Sequence, residues 1–152
     1  MLLYTEKGKA VMKRTNEASK LAGVSRRTLQ YYDDEGLLMA ERSSDNHRLY
    51  DRQVLERLWE ILIYKEIDFE LKDIRKLLKL SDEQKRQYLD RKTDEIRNQI
   101  ISRHVQIGFI LMVKDRGMPA VPEENNGKTY VQCVEELRMQ IREKIMRTGI
   151  DI

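Results

Sequence analysis

Apolar positions along the chain fall into helical stripes separated by turn formers, with one polar interruption. Ala18, Leu21 and Ala22 predict a short helix that Thr15 can cap and Gly23 ends. Val24 then leads into Ser25, a second N-cap, and a helix of about ten residues closes at Gly36. Two helices around a tight turn at Ala22, Gly23 and Val24 have the spacing of a helix-turn-helix unit, and equally of an ordinary helical hairpin. After Leu37 and Leu38, the stretch MAERSSDNHRLYD has turn formers in its middle and apolar residues at both ends. It predicts a short hairpin, a wing, with Asp45 and Asn46 at the tip because their side chains tolerate left-handed backbone. Asp51 opens the next helix, where Val54, Leu55, Leu58, Trp59, Leu62 and Ile63 recur at intervals of three and four. That stripe is expected to be core, with Trp59 a packing residue. A turn at Ile67 and Asp68 separates it from a fourth helix carrying Leu71, Ile74, Leu77 and Leu78.

Ser81 and Gln84 form a capping box at the start of something longer. From there to Asp115 no proline occurs, and Gly108 is the only glycine. Leu89, Thr93, Ile96, Ile100, Arg103, Ile107 and Ile110 follow steps of four and three, an imperfect heptad seam. A helix of roughly 33 residues would be about 50 Å long, more than a domain of this size covers alone. Its stripe calls for a second chain, with Leu89, Ile96, Ile100, Ile107, Ile110 and Leu111 as the expected dimer residues. The other arrangement folds the helix back under its own tail. Phe109 to Val113 is apolar nearly all round and predicts burial by several neighbours. Gly117, Pro119 and Pro122 break the helix, and residues 123–128 read as a flexible connector. Val131, Val134, Leu137, Ile141 and Ile145 then mark one amphipathic helix, suited to docking on the dimer, covering a ligand or binding a partner. The expected organisation is an N-terminal extension over 1–11, a helical domain with a wing over 12–80, a dimerisation helix over 81–116 and a tail over 117–152.

Charge sharpens this picture only through its distribution. The 152 residues carry a formal net charge of +3, a mild bias. Yet Lys7, Lys9, Lys13, Arg14, Lys20, Arg26 and Arg27 face only Glu6 and Glu17 in the first thirty residues. An electrostatic footprint for an anionic partner belongs there. The run SRRTLQYY, Ser25 to Tyr32, suits neither a core helix nor a purely solvated one, which implies an outside partner for that face.

Catalytic and metal chemistry find no support. Cys133 is the only cysteine, excluding an internal disulfide and a thiolate-rich metal cage within one chain. His47 and His104 have no carboxylate or cysteine at metal spacing, and no nucleophile elbow, zinc-protease or phosphate-loop motif occurs. No enzyme, metal or cofactor is expected. With no membrane-length apolar run and no hydrophobic signal core, a cytoplasmic protein is the expectation.

The run LAGVSRRTLQYYDDEGLL, followed by RLYD and then LERL, closely resembles the DNA-binding half of the MerR family of bacterial transcription regulators. The resemblance covers about Met12 to Leu80, and several independent motifs occur in order. It implies a mostly α fold: a winged helix-turn-helix with two further helices, a long antiparallel coiled-coil dimerisation helix and here a short C-terminal helix. Two glycines of the family pattern are missing. The wing has Asn46 and His47 where Gly and Tyr are usual, and the corner before the fourth helix has Asp68 and Phe69 where Gly and Phe are usual. Asn and Asp are the residues that best tolerate positive φ, so the backbone is expected to keep its shape.

Within that resemblance the opening helix acquires a role. Ser25 caps a recognition helix whose N-terminal half carries Arg26, Arg27, Thr28 and Gln30, the end presented to base edges in the major groove. Tyr31 and Tyr32 stand where family tyrosines contact the DNA backbone and buttress the helix, although one of two adjacent residues must face inward. Lys20, Arg42, His47 and Arg48 are the implied phosphate contacts. The resemblance further implies a homodimer on a near-palindromic promoter, distorted in response to an effector so that RNA polymerase is influenced through the DNA. Metal-sensing members carry cysteines that this chain lacks, and the tail is too short for the large drug-binding barrel of other members; whether there is an effector, small molecule or protein, the sequence leaves open. A different reading makes the chain an interaction module whose C-terminal helix binds a partner protein that controls DNA binding.

Overall fold

A computed structural model describes residues 12–149; the N-terminal extension assigned to 1–11 lies outside the described residues. Three short strands and six helices follow in the order β1 (Lys13–Arg14), α1 (Thr15–Ala22), α2 (Arg26–Asp34), β2 (Glu41–Arg42), β3 (Arg48–Tyr50), α3 (Arg52–Glu66), α4 (Leu71–Leu77), α5 (Asp82–Arg116) and α6 (Tyr130–Arg147). The chain divides into two compact units at Lys85 and Arg86.

In the first unit the expected starts and stops are made by the residues that signal them. Gly23 ends α1 at φ +70° and donates to the Ser19 carbonyl at 2.9 Å. The cap of α1 lies one residue earlier than expected: Arg14 is the N-cap, its N–H satisfied by the Glu17 carboxylate at 3.3 Å. Ser25 Oγ accepts from the Thr28 N–H at 3.0 Å, and Asp51 Oδ1 accepts from the Val54 N–H at 2.8 Å. Asn46 and Asp68 adopt φ values of +65° and +68°, so both glycine replacements keep the left-handed turn. The hairpin β2–β3 pairs Arg42 with Arg48, and β1 adds to the far edge of β3, giving the antiparallel order β1-β3-β2. The third strand was not expected; two residues carry no periodicity to detect.

The core of this unit gathers Leu29 from α2, Leu37 and Leu38, Tyr50 from β3, Leu58 and Ile61 from α3 and Ile74 and Leu77 from α4, all at most 2% exposed. Tyr64 and Phe69 close one end, ring edge to ring face at 6.0 Å. The α3 stripe is rotated from expectation: Val54, Leu58, Ile61 and Tyr64 are buried, whereas Trp59 is 67% and Ile63 42% exposed. Trp59 is therefore no core residue. On a helix apolar on more than one side, spacing alone does not choose which stripe turns inward. Glu60 binds this helix to the start of α5, accepting from Tyr64 Oη at 2.7 Å and from Lys85 Nζ at 2.6 Å.

In the second unit α5 and α6 pack on each other. Ser81 and Gln84 form the capping box as expected, and the helix they start runs unbroken for 35 residues. Ile101 and Val105 are buried, and at Gly108 an added Cβ would overlap Ile141 Cγ2, so the glycine lets α6 seat closely. At about 100° per residue, Ile101, Val105 and Gly108 occupy a different side of α5 from Ile96, Ile107 and Ile110. The helix does meet its own tail, but on the other stripe: Ile96, Ile107, Ile110 and Leu111 stay 39–63% exposed. Burial of Phe109 to Val113 from all sides does not occur within one chain; Phe109 and Met112 are half-buried and the rest exposed. Of the α6 stripe, Leu137, Ile141 and Ile145 are half-buried, while Val131 and Val134 are exposed.

Candidate nucleic-acid interface

Three elements converge on one polar, open cleft of about 980 Å³. The N-terminal half of α2 contributes Ser25, Arg26, Arg27 and Gln30; the start of α1 and the strand before it contribute Arg14, Thr15 and Asn16; the wing contributes His47. The local cause is the double cap. Gly23 turns the chain, the Ser19 hydroxyl donates to the Val24 carbonyl at 2.6 Å, and Ser25 then starts α2 with its first turn facing out. Leu29 and Tyr32 face inward from α2, leaving Arg26, Arg27 and Gln30 exposed.

The cleft is electropositive, with one acid at its rim. Arg26 and Arg27 make no ion pair among the described residues. Arg14 Nη2 lies 3.3 Å and His47 Nε2 3.5 Å from Asp45 Oδ2 at the wing tip. A hydrogen bond from the Ser43 hydroxyl, aided by a backbone hydrogen bond and the nearby Arg14 guanidinium, holds the Asp45 carboxyl below its usual range despite partial desolvation. Asp45 thus places the wing tip within ion-pair reach of Arg14 at the end of β1 and beside His47.

The other expected residues divide. Lys20, Tyr31 and Arg42 are exposed outside the cleft, and Arg42 Nη1 donates to the Asn46 carbonyl at 3.2 Å across the wing turn. Thr28 is half-buried, its hydroxyl 2.9 Å from Ser25 Oγ, so it supports the cap. Tyr32 is 6% exposed and belongs to the core; burial and then the adjacent Tyr31 push its phenol up. The alternation forced on neighbouring helical residues resolves with Tyr31 outward and Tyr32 inward.

Arg48 is held within the fold. Its side chain is only 14% exposed, with Nε 2.7 Å from Asp33 Oδ2 and Nη2 3.0 Å from Asp34 Oδ1. Hydrogen bonding to Asp33 outweighs burial and holds the guanidinium more firmly protonated than usual. A cation so engaged braces the wing against α2 through Nε and Nη2. Conversely, Thr15 and Asn16 line the cleft without a sequence signal, and Arg14 enters it as a specific wall residue. Arg14 belongs to the early positive run, but its position depends on the pairing of β1 with β3, for which the sequence holds no local signal.

Among the described residues no helix is long and apolar enough to cross a membrane. Cys133 is half-buried on α6, with the Asn126 amide 3.7 Å from its sulfur.

Residues 13–81 match the MerR HTH family regulatory proteins. The nodulation protein NolA of Bradyrhizobium diazoefficiens is 33% identical over 104 residues, covering 68% of this chain and 40% of that protein. The HTH-type transcriptional activator TipA of Streptomyces coelicolor is 46% identical over 63 residues, 41% of this chain and 25% of that protein. The chain thus spans about a quarter to two-fifths of the length of these curated relatives. Among solved structures, the N-terminal part of MtaN, the multidrug transporter activator of Bacillus subtilis, superposes with a TM-score of 0.57 at 27% identity, covering 71% of this chain and 99% of that one.

Proposed function

This chain belongs to the MerR family of helix-turn-helix regulatory proteins, and on that premise we propose that it is a transcription regulator that binds double-stranded DNA as a homodimer. The observation that carries the reading is the meeting of Arg26, Arg27 and Gln30 with Arg14 and His47 in one open cleft. Arginine can grip guanine and glutamine adenine with paired hydrogen bonds, while Arg14, Lys20, Arg42 and His47 suit phosphates on either side. A dimer through Leu89, Ile96, Ile100, Ile107, Ile110 and Leu111 would double the cleft and match a near-palindromic promoter. Distorting that promoter costs of order 1 to 6 kcal/mol, within reach of a bound effector, and RNA polymerase would respond through the DNA.

Salt dependence of DNA binding tests this reading. With roughly 6 to 10 phosphate contacts from two subunits, affinity should fall by about 10³ to 10⁵ between 50 and 200 mM salt. A flat response would overturn it.

A second reading rests on the exposed apolar residues of α6, where Val131, Val134 and Met139 are 69%, 44% and 62% exposed. In it, this surface binds a partner protein that controls DNA binding.

A further inference from the structure

Along the flank of α6 that faces away from the Ile96–Ile107 stripe lies a groove of about 570 Å³ between α5 and α6. Its floor is apolar: Ile101 and Val105 are buried, and the Phe109 ring is half-buried beside them. Its rim is cationic. Arg138 and Arg142 stand one helical turn apart on α6, both exposed, neither in an ion pair among the described residues. Asn98 and Ser102 line the opposite wall from α5 with hydrogen-bonding groups.

An arginine pair over a strip of aliphatic and aromatic side chains is a particular combination. Unpaired guanidinium groups that converge on one groove favour an anion, and their planar forks match a carboxylate. The floor beneath them favours a flat apolar body. The volume falls within the range of small-molecule sites, about 300 to 1,000 Å³. The groove also lies on the side of α5 roughly opposite its exposed isoleucines, so a second chain on that stripe would leave it open.

We propose that this groove binds a small organic carboxylate with a flat apolar body, the carboxylate held by Arg138 and Arg142 and the body lying on Phe109, Ile101 and Val105. The inference concerns ligand binding and stands whether or not the chain binds DNA.

The test uses the full chain and naphthalene-2-carboxylate, whose own fluorescence anisotropy reports binding, beside the neutral naphthalene-2-carboxamide and the cationic 2-naphthylmethylammonium. The carboxylate should saturate at one per chain and bind at least tenfold tighter than the carboxamide. Arg138→Ala and Arg142→Ala, both at exposed positions, should each weaken it about tenfold without changing thermal stability. The double variant Arg138→Glu with Arg142→Glu should reverse the preference toward the ammonium probe, which a general loss of structure would not do. Equal binding of carboxylate and carboxamide, no saturable binding, or arginine variants that bind unchanged would each overturn the proposal.

Discussion

Arg48 on β3 and Asp33 near the end of α2 form a largely buried ion pair, Nε to Oδ2 at 2.7 Å, and the other Asp33 oxygen accepts from the Ala40 N–H at 2.9 Å. One carboxylate therefore holds both the wing and the chain leading to it against α2. Arg48→Ala would leave that carboxylate half-satisfied and should cost about 1.5 to 3 kcal/mol of stability, read as a lower midpoint in urea. A loss of DNA affinity with unchanged stability would instead return Arg48 to the phosphate contacts.

Base reading and backbone gripping should separate in variants. Arg27→Ala or Gln30→Ala should relax preference at particular base pairs, costing about 1 to 3 kcal/mol on the best site and little on random duplex. Arg14→Ala should weaken all sequences nearly equally and lower the salt slope by about one unit. Binding of each variant to the best site, its single-base variants and random DNA decides between the roles. Altered base preference in Arg14→Ala alone would mean that α2 is not the reader.

Ile96 and Ile107 are 39% and 50% exposed on the α5 side that α6 leaves bare. Lysines there should convert the proposed homodimer into an 18.2 kDa monomer by sedimentation equilibrium, with helix content retained because neither side chain is buried within the chain. A dimer mass unchanged in the double variant would remove α5 as the interface.

The Glu60 cluster predicts an acid-labile contact. Burial raises the Glu60 carboxyl, but hydrogen bonds from Lys85 and Tyr64 and nearby positive charge outweigh it and leave it below the ordinary value of 4.5. A carboxyl depressed in the folded state contributes stability that is present above its unfolded pKa and is lost as pH falls through the folded one. Glu60→Gln should therefore be less stable than the parent at pH 7, and the gap should narrow below about pH 4. A gap that stays constant from pH 7 to pH 3 would show that the charge contributes nothing.

The parts of this fold that were legible beforehand are those where one residue type has one physical use. Ser25, Asp51 and Ser81 cap helices, Gly23 turns left-handed, and Asn46 and Asp68 take the turns usually given to glycine. Burial on two-sided helices was less legible, because Trp59 and Ile61 are equally apolar and only tertiary packing places Ile61 inside. The placement of the site residues was half legible. Arg26, Arg27, Gln30 and His47 line one cleft, yet Arg48 turns inward to acids in a different element and Arg14 is carried to the cleft by strand pairing. Both outcomes depend on contacts distant in sequence, to which helical and strand periodicity is blind.

Footprinting the full chain on the DNA upstream of its own coding sequence tests the central claim most directly, because operator, symmetry and position relative to the promoter appear together. The predicted result is protection of two half-sites related by a dyad, with major-groove centres separated by about one helical turn, 34 to 36 Å, or a multiple of it. Arg26→Ala with Arg27→Ala should abolish that pattern. Protection without two-fold symmetry, or the same protected pattern in the double variant, would contradict a dimer that reads DNA through the N-terminal half of α2.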